Sequence, residues 1–173
     1  MKFSNAILLL FIFLFSCRHE HRNITENDYP ETRKSLIEVN RLLVKKDSAR
    51  IAEYIKTRNW DMIQTKTGLW YMIYEKGAGR KSKEGFYATI NYNLALLDGT
   101  LCYSSDSLGP KRFKIGRGSV ESGLEEGILL LKEGDKARFI LPPHLAHGLV
   151  GDDNRIPARS IIVYDLELLS LDN

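Results

Sequence analysis

The chain has 173 residues, of which 43% are hydrophobic and 27% charged. That suits one globular core with an appendage and is too short for two large domains. Lysine and arginine number 25 against 22 acidic residues, a balance that makes no electrostatic case for nucleic acid or an anionic bilayer as partner.

At the front, Lys2 precedes an apolar run from Ala6 to Phe15. The run is shorter than the about 20 residues that span a bilayer and reads as a signal peptide over residues 1–16. It stops at Leu14-Phe15-Ser16-Cys17, which resembles a bacterial lipobox. That resemblance implies cleavage before Cys17 and lipidation of its thiol, which attaches the chain to a membrane; a plain secretory signal and an uncleaved anchor are the alternatives. Cys102 is the only other cysteine, so no structural disulfide is expected, and its apolar-polar surroundings predict a buried, inert thiol.

Residues 17–30 are polar, with few large apolar groups to bury, and read as a tether. A helical segment over residues 31–60 follows. Pro30 suits a first turn, and Leu36, Val39, Leu42 and Leu43 recur at helical spacing. Asp47 or Ser48 offers a cap for a second helix that turns Ile51, Ala52 and Ile55 to one face, and one continuous helix is the alternative. The stripe needs a cover: the globular domain, a partner, or a second copy joined as a homodimer through residues 31–58.

A domain over residues 67–173 completes the chain. Leu69, Tyr71 and Ile73 alternate with Trp70, Met72 and Tyr74, a strand apolar on both faces. Lys76 to Glu84 is a loop, and its Arg80, Lys81 and Lys83 read as solvated charges. Ile90, Tyr92, Leu94 and Leu96 form one face of the next strand, Asp98-Gly99 makes a tight hairpin, and short strands follow through Leu101 and Tyr103 and through Phe113 and Ile115. Ser122 and Glu125 stand in capping-box relation before a helix that carries Leu124, Ile128 and Leu131 and is closed by Gly134. A strand over residues 136–141 and a closing strand with Ile162, Tyr164, Leu166 and Leu168 inward complete the pattern. Antiparallel strands with one helix imply an α+β domain, a curved antiparallel sheet wrapped around one short helix and preceded by a short helical segment.

The ordered series Asp98-Gly99, Gly123-Leu124-Glu125-Glu126-Gly127, Pro142-Pro143-His144-Leu145-Ala146-His147-Gly148 and Val163-Tyr164-Asp165-Leu166-Glu167-Leu168-Leu169 resembles the FKBP-type peptidyl-prolyl cis-trans isomerases. The resemblance runs from Thr67 to Leu171. It implies a pocket walled by Tyr92, Phe113, Val120 and Tyr164, with Leu124 as its floor where the family has tryptophan. His147 falls where a family tyrosine hydrogen-bonds the bound carbonyl, and an imidazole can donate the same bond. Cys102 and Tyr103 stand where the family has phenylalanine then aspartate, and with Ile156 they are assigned to substrate contact. Lys111 replaces an aromatic residue and Glu121 an apolar one. As side chains these two can screen each other at the rim, and the Glu121 amide can still donate to substrate. On pattern alone, core packing is the preferred reading of Tyr92, Phe113 and Tyr164.

Prolyl isomerisation needs no nucleophile, metal or cofactor, and none is expected here. His144 and His147 are two residues on a loop, too few ligands for a zinc site. The implied partners are proline-containing polypeptide clients. Together, the lipobox, the helical segment and the single domain resemble the gliding-motility-associated FKBP-type lipoproteins of Bacteroidota, which implies a membrane-anchored lipoprotein of the cell envelope. The absence of an acidic run after Cys17 favours a periplasm-facing position. The competing readings are a noncatalytic prolyl-peptide-binding scaffold and a chaperone that uses the helices as a dimeric cradle.

Overall fold

The computed structural model describes residues 29–173. The signal peptide, Cys17 and the tether up to residue 28 lie outside the described residues. Two units divide the chain, residues 1–39 and 40–173. In the first, the described residues open helix α1 (Tyr29–Arg58), with Leu36, Ile37 and Val39 exposed. No helix among the described residues is long and apolar enough to cross a membrane.

α1 is one continuous helix, the alternative left open by the sequence. No glycine or proline interrupts residues 40–58, and Asp47 does not cap a second helix. It is buried, and its carboxylate accepts from the Arg159 guanidinium at 2.8 Å. Ile51 and Ile55 are buried together, whereas Ala52, one residue off the stripe, is exposed rather than sharing their face.

The strands are β1 (Ile63–Gln64), β2 (Trp70–Glu75), β3 (Tyr87–Leu96), β4 (Leu101–Ser104), β5 (Lys111–Lys114), β6 (Lys136–Leu141) and β7 (Ile162–Asp172). All pairings are antiparallel, in the order β1-β2-β6-β7-β3-β4 with β5 also on β3. The curved sheet and its helix agree with the α+β expectation. β3 is the organising strand because its clean alternation sends Ile90, Tyr92 and Leu94 into the core while its backbone pairs with three neighbours. Gly99, at a φ of 93°, closes the β3–β4 hairpin.

Helix α3 (Ser122–Ile128) packs on the core face, and the glycines of its Gly-Leu-Glu-Glu-Gly run let it approach closely. A Cβ on Gly127 would lie 2.4 Å from the Phe139 ring, and one on Gly123 2.6 Å from Leu141. The expected capping box does not form. Glu125 instead accepts from the amides of Arg117 and Gly118, at 3.2 and 2.9 Å, and Glu121 occupies the N-cap position. Nor does Gly134 close this helix, which ends at Ile128. Gly134 has a φ of 86° in the turn before β6 and donates to the Leu168 carbonyl at 2.7 Å. A four-residue helix, α2 (Ser105–Leu108), was not expected; it follows β4 and is capped by Ser104, whose hydroxyl accepts from the Asp106 amide at 3.1 Å. Four residues are too few to show a helical period.

Apolar side chains fill both faces of the sheet. One core joins Ile90, Tyr92, Phe139 and Tyr164 to α3 residues Leu124 and Ile128. The other joins Ile140, Val163, Trp70 and Met72 to Ile51 and Ile55 of α1. The two-faced apolar pattern of β2 follows from this arrangement.

Candidate active site

The strand register brings together residues that lie far apart in sequence. β3 supplies Tyr92 and β7 supplies Tyr164, their rings 6.0 Å apart and tilted by 50°. Phe113 of β5, Leu124 of α3, Cys102 of β4 and Ile156 of the β6–β7 connection are buried in the same cluster, with Val120 and Tyr103 partly buried against it. The residues expected to wall or floor the pocket therefore lie in, or pack against, one hydrophobic cluster. Phe113, Cys102 and Ile156 are at most 5% exposed, so pocket wall and hydrophobic core are one structure here.

Glu121 departs from the sequence-based picture most clearly. It does not screen Lys111 at the rim. Its side chain is only 8% exposed, and one carboxylate oxygen accepts from both the Tyr164 hydroxyl and His147 Nε2 at 3.0 Å. The second oxygen, Oε2, is buried without a hydrogen-bond partner. Lys111 places its ammonium 5.5 Å from the centre of the Tyr92 ring. Burial first, and then the Glu121 charge and hydrogen bond, raise the Tyr164 hydroxyl well above the ordinary tyrosine range. Burial, followed by the same charge, raises Tyr92. Both phenols therefore stay protonated, and Tyr164 stays a donor.

His147 thus has a resident partner, and its ring is committed to Glu121 instead of free for a carbonyl. His144 points elsewhere, with Nε2 2.9 Å from the Thr67 carbonyl oxygen. The Tyr103 hydroxyl donates to Asp152 and accepts from Asn154 at 3.2 Å, while its ring packs against the core cluster. Burial alone would raise the Asp152 carboxyl; the Tyr103 hydroxyl, the amides of Ile156 and Asn154, and neighbouring His147 instead hold it down to about 2. The Cys102 thiol is raised by burial and then by the charges of Asp152 and Asp98, as an inert thiol requires.

Sequence reasoning missed Asp152, Arg155 and Arg159. Asp152 organises the loop, its Oδ1 accepting from the amides of Asn154 and Ile156 at 3.0 and 2.7 Å. An aspartate two residues before asparagine, just after a glycine, is a turn signal that could have marked it. Arg155 donates to the Cys102 carbonyl at 2.8 Å and stacks 5.5 Å from the Tyr103 ring, tying the loop to β4. Arg159 holds a φ of 57° and anchors the far end of the loop to Asp47. No local pattern announces a pair so far apart in sequence.

The family model for the FKBP-type peptidyl-prolyl cis-trans isomerase matches residues 78–169, the span that carries every pocket residue above. The chain belongs to that family. It is 36% identical over 107 residues to FK506-binding protein 2 of Yarrowia lipolytica, covering 61% of this chain and 74% of that protein. With human peptidyl-prolyl cis-trans isomerase FKBP9 it shares 42% identity over 92 residues, 52% of this chain; the chain spans only 16% of that relative's length. The crystal structure of FkpA from Escherichia coli superposes with a TM-score of 0.62 at 26% identity, over 99% of this chain and 84% of that one. Within this FKBP-type frame, the buried Glu121 carboxylate and the Tyr103–Asp152 contact are the local chemistry that needs explaining.

Proposed function

We propose that the protein is a lipid-anchored peptidyl-prolyl cis-trans isomerase that assists the folding of envelope or secreted proteins, among them components of a gliding-motility apparatus. The observation that carries this reading is the convergence of Tyr92, Phe113, Leu124, Ile156 and Tyr164 in one apolar cluster of an FKBP-type domain. Rotation about the bond before proline faces a barrier of about 18–20 kcal/mol set by amide resonance. The twisted imide is less polar than either planar form, so a site that strips water from it favours the transition state, and each ~1.36 kcal/mol of preference gives about tenfold in rate. The lipobox-like Leu14-Phe15-Ser16-Cys17 supports anchoring in the cell envelope through lipid on Cys17, and the absence of an acidic run after Cys17 supports a periplasm-facing position.

The deciding experiment is cis-to-trans conversion of a prolyl tetrapeptide with the purified protein; acceleration supports the reading. Failure to accelerate, with peptide binding retained, selects the second reading, a noncatalytic prolyl-peptide-binding scaffold. That alternative is favoured specifically by the Glu121 carboxylate standing among the pocket aromatics. The exposed Leu36, Ile37, Val39 and Leu42 support pairing of two copies through residues 31–58, which sedimentation as a dimer would support and a monomer would remove.

A further inference from the structure

A cleft of about 240 Å³ lies between α1 and the turn that joins β1 to β2, with every wall inside residues 40–173. Val44, Ile51, Trp70 and Pro142 give it an apolar lining. Ile51 and Trp70 belong to the core on the α1 face of the sheet, whereas the pocket aromatics belong to the other core. We propose that this cleft and the free edge of β1 together form a second polypeptide site. An extended segment pairs its main chain with Gln64 and seats one large apolar side chain between α1 and Trp70.

The main chain of β1 identifies the guest as a polypeptide. Among the described residues, β1 ends the sheet and pairs with β2 alone. The Thr65 amide donates to the Leu69 carbonyl at 2.8 Å, so Thr65 faces β2. Main-chain groups alternate in direction along an antiparallel strand, and those of Gln64 therefore point away from β2. Gln64 is exposed and also lines the cleft. A strand added at this edge is thus hydrogen-bonded at the lip of the cleft. Its main chain supplies affinity, and the cavity beside it selects the side chain.

The cavity itself sets the size of that side chain. Sites that enclose a whole small molecule run to about 300–1,000 Å³, so this smaller cleft suits a single large side chain. Its apolar lining, with Val44 37% exposed, gains most from an aromatic or long aliphatic guest that removes this surface from water. The polar wall is already fixed. The Thr65 and Thr67 hydroxyls are hydrogen-bonded at 2.7 Å, and Thr67 donates to Glu126 of α3 at 2.8 Å. His144 Nε2 lies 2.9 Å from the Thr67 carbonyl oxygen. These bonds tie the turn to α3 and to the loop that carries His147, so the wall needs no ordering when a chain binds.

The probe is a blocked, proline-free pentapeptide, seryl-threonyl-phenylalanyl-threonyl-serine, beside a second in which serine replaces the phenylalanine. Both are titrated into the purified protein and followed by amide and indole NMR shifts. The phenylalanine peptide should move the Gln64 amide and the Trp70 indole, and the serine peptide should bind about tenfold more weakly, as expected for one lost apolar side chain. Val44→Arg puts a charge in the lining and should weaken the phenylalanine peptide by a similar factor, leaving conversion of a prolyl tetrapeptide unchanged. Equal binding of the two peptides, shifts confined to the surroundings of Tyr92 and Tyr164, or no shift at millimolar peptide overturns the proposal. So does a dimer that Val44→Arg dissociates while no peptide binds, which would give the cleft to a second copy. The comparison of peptides on the wild type needs no variant, so a Val44→Arg protein that fails to fold leaves the test standing. Because the probe carries no proline, its outcome is separate from that of the isomerase assay.

Discussion

Glu121 shows how one side chain can set a carboxylate against a hydrophobic core without breaking it. Its carboxylate is held by Tyr164 and His147 at 3.0 Å, and Tyr164 belongs to the hydrophobic core cluster. A charge there opposes the entry of an apolar proline ring, because the carboxylate keeps the site polar where the twisted imide favours an apolar one. Glu121→Ile should therefore raise kcat/KM on a leucyl-prolyl tetrapeptide by about tenfold, read in the isomerisation assay. Tyr103 and Asp152 offer a second test. Asp152 is held at about 2, below its ordinary 3.8, so its ionised form contributes stability that is fully present above the ordinary value and is lost as pH falls toward 2. Tyr103→Phe removes one donor that holds the carboxyl down, so Asp152 should titrate at higher pH and the loop should lose order earlier on acidification. A carboxyl-carbon NMR titration checks this; an unchanged midpoint would refute the role given to Tyr103.

At the scale of elements, legibility followed local period. β3 could be read directly because Ile90, Tyr92 and Leu94 alternate toward one buried face. The capping box failed because the amides of Arg117 and Gly118, in the loop before α3, claimed Glu125. The glycines of α3 are a packing device: the Gly127→Ala Cβ would meet the Phe139 ring at 2.4 Å. That substitution should lower stability by about 1–3 kcal/mol in urea unfolding, even though alanine is the better helix former. The Asp47–Arg159 pair joins α1 to the loop that carries His147, Asp152 and Ile156, with Asp47 buried and Arg159 about a third exposed. Asp47→Ala should cost about 1–3 kcal/mol and speed amide hydrogen exchange over residues 148–160, the second effect separating loop anchoring from simple loss of stability.

At the scale of the whole molecule, residues 40–173 form a sheet with apolar cores on both faces, α3 on one and the latter part of α1 on the other. Ile51 and Ile55 bury their side chains among Met62, Ile140, Ile161 and Val163. A chain beginning at Asn40 should keep its melting temperature. One beginning at Trp60 loses both isoleucines, each contributing about 1.5–3 kcal/mol by burial, and should melt well below it. Equal melting of the two truncations would show that α1 adds nothing to the domain.

By itself the sequence determined the α+β class, the hairpin at Asp98-Gly99, and the core-facing positions along β3 and β7, because periodicity, turn chemistry and family-specific spacing are local properties of the chain. Only the tertiary structure decided that Glu121 turns inward to Tyr164 and His147, that Asp47 seizes Arg159 instead of capping a helix, and that Tyr103 reaches across to Asp152. Each of these outcomes is a choice of hydrogen-bond partner between residues distant in sequence. Such a choice is set by which donors the fold brings within about 3 Å of a buried or loop-held polar group, and no local pattern records it.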